Sequence, residues 1–230
     1  MSLTAKTRNR LIMGAVGAVA LAAIALSPGI NSEKQTSVSG VRPEGPVSPI
    51  IRDDTGSESA GTETSDHSNA IAMSSSAVIQ VGFSPGSGAT TTVLNIIDGA
   101  ESEIRLAGYS FTSPAVVRGL IEAKKRGVDV KVVVDKKGNA TNSASRQALN
   151  FLSVNGIPVK LNGNYAIHHD KFIVADRIHV QTGSYNYSKS AETRNSENVI
   201  AVWNVPKLAE KYLRHWESRY SEGTLWKSDY

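Results

Sequence analysis

The sequence predicts an α/β domain with a central mixed β-sheet flanked by helices on both faces. Two observations carry this reading. Short β-branched runs recur through residues 77–230, and four segments of helical spacing are interleaved with them. In the first half the order is strand, helix, strand, helix, strand, helix, strand, so the helices are expected to act as crossovers between neighbouring parallel strands. The second half runs as successive strands closed by one helix.

In chain order, Val78–Ser84 alternates as a first strand, and Val93, Ile96, Ile97 and Ala100 then share one helical face. Ile104–Phe111 is the second strand. Ser113 caps the next helix, Pro114 fits its first turn, Val116, Val117, Leu120 and Ile121 form its apolar face, and Gly127 ends it. Val128–Asp135 is the third strand; Leu149, Phe151 and Leu152 support a third helix; Pro158–Leu161 is the fourth strand. Lys171–Ala175, Ile178–Thr182 and Asn198–Trp203 follow as strands, and Leu208, Tyr212, Trp216 and Tyr220 line the closing helix.

The 76 residues that precede this domain are of two other kinds. Residues 1–26 carry Lys6, Arg8 and Arg10, no acid, and sixteen unbroken apolar positions from Leu11 to Leu26. As a helix this run spans about 24 Å, short for a membrane span and long for a signal-peptide core. A cleaved signal peptide and a retained anchor through residues 11–26 both fit. Either places the remainder of the chain in the periplasm or outside the cell, because the positive flank stays in the cytoplasm. Residues 27–76 hold 12 Ser, 4 Thr, 5 Gly and 4 Pro and no aromatic residue, a composition too poor in apolar surface to offset chain entropy. They read as a disordered linker.

The chain carries 25 Lys and Arg against 21 Asp and Glu, for a formal charge of +4. Residues 77–230 alone carry +5, which suits an anionic partner such as nucleic acid or lipid headgroups. The absence of cysteine excludes disulfides, thiolate zinc sites, cysteine nucleophiles and a lipidated-cysteine anchor. Lys124, Lys125 and Arg126 belong to the last turn of a helix, where positive charge offsets the macrodipole. Lys136 and Lys137 follow the third strand at the sheet edge where α/β proteins bind ligands, and are candidates for substrate contact.

The chemistry concentrates in His169-Asp170-Lys171-Phe172-Ile173-Val174-Ala175-Asp176 and Gly183-Ser184-Tyr185-Asn186. Strand parity projects His169 with Lys171, and Ser184 with Asn186, and a hairpin at Asp176–Ile178 sets the two pairs side by side. An imidazole, an ammonium, a hydroxyl and a carboxamide so grouped suit an anionic tetrahedral centre, with His169 as nucleophile. Glu197 is placed to orient His169 as the third member of a triad does. Asp176 is expected to hold the turn; Tyr185 and Tyr187, which flank Asn186, are candidates for stacking on a substrate base, with a place in the core as the alternative for one or both.

These residues fill every position of HxK(x)4D followed by GSxN, the signature of the phospholipase D superfamily. YSFTSP, AKKRGVDVKVVVD, TGSYNYSKSAET and NSENVIAVWN extend the resemblance across residues 77–230 to its small exported, EDTA-resistant bacterial endonucleases of the Nuc type. The resemblance implies a phospholipase D-like fold and metal-independent phosphodiester hydrolysis through a phosphohistidine, with no cofactor. It also implies a second, protonated histidine for the leaving oxygen. His67, His168, His179 and His215 lack the motif and read as surface or structural, so the second copy of His169 must come from a homodimer that shares one site. DNA, and RNA beside it, is the expected substrate. A lipid phosphodiesterase or phosphatidyl transferase is the alternative enzyme, and a tethered, non-catalytic nucleic-acid-binding module the alternative of another class.

Overall fold

The computed structural model describes residues 69–230; the leader at 1–26 and the linker up to residue 68 lie outside the described residues. Eight strands form one sheet: β1 (Val78–Ser84), β2 (Glu103–Gly108), β3 (Asp129–Asp135), β4 (Val159–Asn162), β5 (Phe172–Ala175), β6 (His179–Gly183), β7 (Glu197–Trp203) and β8 (Thr224–Leu225). The helices are α1 (Ala89–Asp98), α2 (Pro114–Lys125), α3 (Lys136–Asn139), α4 (Ser143–Val154), α5 (Lys189–Thr193) and α6 (Pro206–Glu222). Strand order is β1-β7-β6-β5-β2-β3-β4-β8, parallel at β2/β3 and β3/β4 and antiparallel elsewhere. Among these residues no helix is long and apolar enough to cross a membrane.

One expected connection differs. The helices α2 and α4 do join neighbouring parallel strands, but α1 does not join β1 to an adjacent β2. Strand β1 runs in the same direction as β2 yet pairs with β7, and β7, β6 and β5 lie between them. The later antiparallel strands occupy the space that a simple crossover would have closed. The short elements α3, α5 and β8 also escape the sequence pattern, since none is long enough to show a period.

Two apolar layers sandwich the sheet. On one face α1, α2 and α4 bury Val93, Ile96, Ile97, Leu120, Leu149 and Leu152 against Ile104, Leu106, Val132 and Ile173. Phe151, expected on the buried face of α4, is 45% exposed, because the core stripe is carried by Leu149 and Leu152. On the other face α6 lays Ala209, Leu213 and Trp216 over Ala107, Val133, Phe172, Val174 and Val180. Trp216 fixes the position of α6 by donating Nε1–H to the Leu106 carbonyl at 2.9 Å, above the buried Arg105 that pairs with Glu103 and Asp129.

The second helix begins and ends as its residues predict: Ser113 Oγ accepts from Val116 N and Pro114 opens the first turn. Gly127 then takes a φ of 98° just past the end.

The β5–β6 hairpin turns on Asp176 and Arg177, whose φ values of 53° and 61° are those of a type I′ turn. Asp176 stabilises this conformation through its carboxylate, which accepts from the backbone N–H groups of Glu101, Ser102 and Glu103 and from Ser102 Oγ. Burial raises the Asp176 pKa, but those hydrogen bonds outweigh it and hold the carboxyl below its ordinary value. The folded state therefore binds this proton less readily than the unfolded chain. Its stabilising contribution is complete above about pH 4 and is lost as the pH falls through the lowered value. Replacing Asp176 with Ala is expected to cost about 2–3 kcal/mol at neutral pH, after allowing for the solvent that reaches it, and to flatten the loss of stability below about pH 4. Urea unfolding of both proteins across that range checks this, and an unchanged acid limb counts against it.

Candidate active site

The cavity that concerns function opens where β5 begins and β6 ends. His169 and Lys171 lie in the extended segment that leads into β5, not within the strand, which starts at Phe172. That segment is fixed at several points. Buried Asp135 accepts from the His168 backbone N–H at 2.9 Å, and Lys137 Nζ donates to the Ala166 carbonyl at 3.3 Å. Lys171 Nζ donates to the His169 carbonyl at 2.8 Å. The ring of Tyr109, in the first residue after β2, stands 4.7 Å from the His169 ring and 5.3 Å from the Lys171 ammonium. Tyr109 is thus part of the site; it opens the YSFTSP stretch of the resemblance, which by itself assigns it no role.

Lys171 is buried, with only 7% of its surface exposed, and desolvation lowers its pKa against the opposing charges of Asp170 and Glu197. An ammonium held in such a place has few water molecules to give up before it meets an anion.

Strand β6 delivers the second pair. Gly183 has a φ of 151°, and a Cβ there would fall 2.2 Å from the Asn198 carbonyl oxygen, so only glycine lets β6 close onto β7 at this point. The chain then presents Ser184, whose Oγ donates to Glu197 Oε2 at 2.6 Å and accepts from the Asn198 N–H at 3.0 Å. Glu197 Oε1 accepts from Asn195 Nδ2 at 2.9 Å. The sequence places Glu197 on the His169 ring; among the described residues it is bound to Ser184 and Asn195 instead, and the hydroxyl proton of Ser184 is directed to Glu197. Half-buried Asn186 brings Oδ1 to 3.5 Å from the Ser110 N–H.

His169, Lys171, Thr182 and Gly183 line one side of a cavity of about 390 Å³, and Lys211, Tyr212 and His215 of α6 line the other. His215, read from sequence as surface or structural, therefore shares a cavity with His169 and Lys171. Its Nε2 lies 2.9 Å from Asp170 Oδ2, which also lies 3.2 Å from Nε2 of the buried His168.

Four candidates fall elsewhere. Tyr185 is fully buried and bonded through its hydroxyl to Thr90 Oγ1 at 2.8 Å, so it belongs to the core and cannot stack on a base. Tyr187 is likewise buried, and its hydroxyl donates to Gln181 Oε1. Lys136 lies over Gly163, and with Lys137 it supports the segment bearing His169; neither lines the cavity.

A family model described as "Cardiolipin synthase, PLD-like domain" matches residues 93–220, more than half of the chain. The chain belongs to the phospholipase D-like family. Within this family it is 36% identical to "Phospholipase D" of Rickettsia felis over 60% of this chain and 66% of that protein. It is 30% identical to human "Mitochondrial cardiolipin hydrolase" over 59% of this chain and 54% of that one. Among solved structures, Nuc from Salmonella typhimurium, a phospholipase D family member, is 49% identical, with a TM-score of 0.65 over 66% of this chain and 99% of the other. This phospholipase D-like protein is a phosphodiesterase with an α/β fold.

Proposed function

We propose that the protein is a metal-independent endonuclease that hydrolyses DNA, and RNA beside it, with little sequence preference. The observation that carries this reading is His169 and the buried Lys171 on the wall of an open cavity whose other side bears two further basic side chains. An imidazole nitrogen of His169 attacks phosphorus; a P–N bond forms, the P–O bond to the leaving sugar oxygen breaks, and that oxygen takes a proton from a second imidazole. The second imidazole then accepts a proton from water, which attacks phosphorus and releases His169. Lys171 offsets the charge of the phosphate throughout; Ser184, Asn186 and Glu197 do not line this cavity but follow β6 and open β7 beside it, and are assigned to the phosphate oxygens as part of this proposal.

A lipid substrate is the second reading, supported by the names of the rickettsial and human relatives. Against it, the apolar groove of about 410 Å³ between α2 and α4 shares none of its lining residues with the His169 cavity, so that groove does not hold acyl chains beside the reacting phosphate. Nicking of supercoiled plasmid by the full chain in EDTA, with His169→Ala as control, tests the choice. Wild-type cleavage that the substitution abolishes supports the nuclease; headgroup release from phosphatidylcholine or cardiolipin vesicles without nicking overturns it, and so does inhibition by EDTA.

The second imidazole is proposed to come from a second copy of the chain. Helix α6 packs over β2 to β6, whereas beyond it Ile79, Val81 and Phe83 of edge strand β1 remain 56%, 60% and 54% exposed. Residues paired across the sheet share a face, and the register sets Val81 beside Ile200 and Phe83 beside Asn198, the partner of Ser184. An apolar row next to an incomplete site is a surface for a two-fold partner. Val81→Asp would bury an unpaired carboxylate there and is expected to weaken dimerisation by about 100-fold or more, with activity falling in parallel. Sedimentation equilibrium checks this; a wild-type monomer that is fully active refutes it. The proposed setting for this activity is the periplasm or the cell exterior.

A further inference from the structure

The cluster at His215 has no part in the chemistry above, yet it is built rather than incidental. Lys211 and His215 are one turn apart on α6 and reach the same cavity wall as His169. Between them Tyr212 packs edge-on against Phe172 at 5.0 Å, and the His215 ring lies 5.9 Å from the same side chain. Asp170, the residue between His169 and Lys171, meets His215 at 2.9 Å. Burial raises the Asp170 pKa, but hydrogen bonds to His168 and His215 and their charge outweigh it and hold the carboxyl at about 2. Asp170 is therefore an acceptor at every working pH, and His215 Nε2 must be the donor; Nδ1 is then the atom left for an anion, which it meets as a donor only in the imidazolium form of the ring. A bare carboxylate so near the His169 cavity would repel a phosphate; the N–H that His215 directs at it lessens that repulsion. The same His168, Asp170 and His215 side chains do not converge as a metal-ligand set. Lys211 Nζ is exposed and also donates to Asn69 Oδ1 at 3.1 Å.

We propose that Lys211 and His215, the latter oriented by Asp170, form a second anion subsite that holds the phosphate adjacent to the scissile one in a nucleic-acid strand. This rests on the nuclease reading and deepens it. A strand offers a phosphate on each side of the one being cut, whereas a minimal diester offers none, so the subsite makes chain length a determinant of binding. Asp170 links the two sites because it stands between the nucleophile and the ammonium in sequence and holds α6 in space.

Steady-state cleavage of two substrates tests it: a thymidine dinucleotide with a single phosphodiester and a thymidine decamer with neighbouring phosphates. Wild type is expected to show a KM at least tenfold lower for the decamer. Lys211→Gln and His215→Gln are expected to raise the decamer KM at least fivefold more than the dinucleotide KM, with kcat changed less than KM. Each should also make the dependence of log(kcat/KM) on log[salt] shallower by about 0.7 for each phosphate no longer held. Gln at position 215 can still donate to Asp170, and Lys211 is at the surface, so at least the latter variant keeps its fold; thermal unfolding verifies both. Equal losses on the two substrates, or no loss on either, overturn the subsite while leaving the nuclease standing. A wild-type protein that cuts neither substrate overturns the nuclease reading itself, and the subsite with it.

Discussion

His169→Asn is expected to lower phosphodiester cleavage by about 10⁴-fold or more, because the substitution keeps a polar side chain of similar size but removes the nucleophile from which a covalent intermediate forms. His169 is exposed on the segment before β5 and its ring packs against Tyr109, so little stability is at stake. The decisive comparison is initial rate alongside thermal unfolding. A folded variant with a rate within about tenfold of wild type would remove His169 from the chemistry. The activity of wild type should also fall on both sides of an optimum pH, since one imidazole must be neutral to attack while another is protonated to donate.

Lys171→Met is expected to lower kcat by about 10²–10³-fold, the scale on which loss of one preorganised positive or donating group acts in a partly desolvated site. Methionine fills the space of the buried stem, so the change isolates the ammonium. The same group predicts an alkaline limit. Because burial lowers the Lys171 pKa, its proton is lost at lower pH than from an exposed lysine, and wild-type kcat should decline below the ordinary lysine value of 10.5. The Met variant has no ammonium to lose, and its residual rate should lack that limb. A variant with wild-type kcat and only a raised KM would instead make Lys171 a general binding group.

Much of this is legible in the sequence because it is local. The β5–β6 hairpin, the presence of His169 and Lys171 on one cavity wall, and the turn-holding role of Asp176 all rest on residues close together in the chain. The features that escape the sequence arise between segments distant in it. Tyr109 reaches His169 across sixty positions, and His215 reaches Asp170 across forty-five. A histidine on a helix has no local pattern, and YSFTSP marks a resemblance without saying that its tyrosine meets His169. Glu197 binds a different partner from the one expected for a related reason: parity says which side a carboxylate leaves the strand, not which of two donors within reach binds it. Tyr185 shows the limit of composition. An aromatic residue beside a motif looks available for stacking until the packing of α1 is known.

The pairing of β1 with β7 has a consequence for how the chain is made. Val78 meets Trp203, 125 residues later, so the first strand to leave the ribosome cannot acquire its neighbour until almost the whole domain has followed. Until then it is an unpaired ribbon bearing Ile79, Val81 and Phe83, while the β5–β6–β7 meander closes through a tight turn and a thirteen-residue connection containing α5, and can form as soon as it emerges. The meander is thus the quick part, and completion of the sheet waits on the longest loop closure among the described residues. Conditions that slow synthesis should lengthen the time β1 stays open to the wrong partners, and misassembly should begin at that edge.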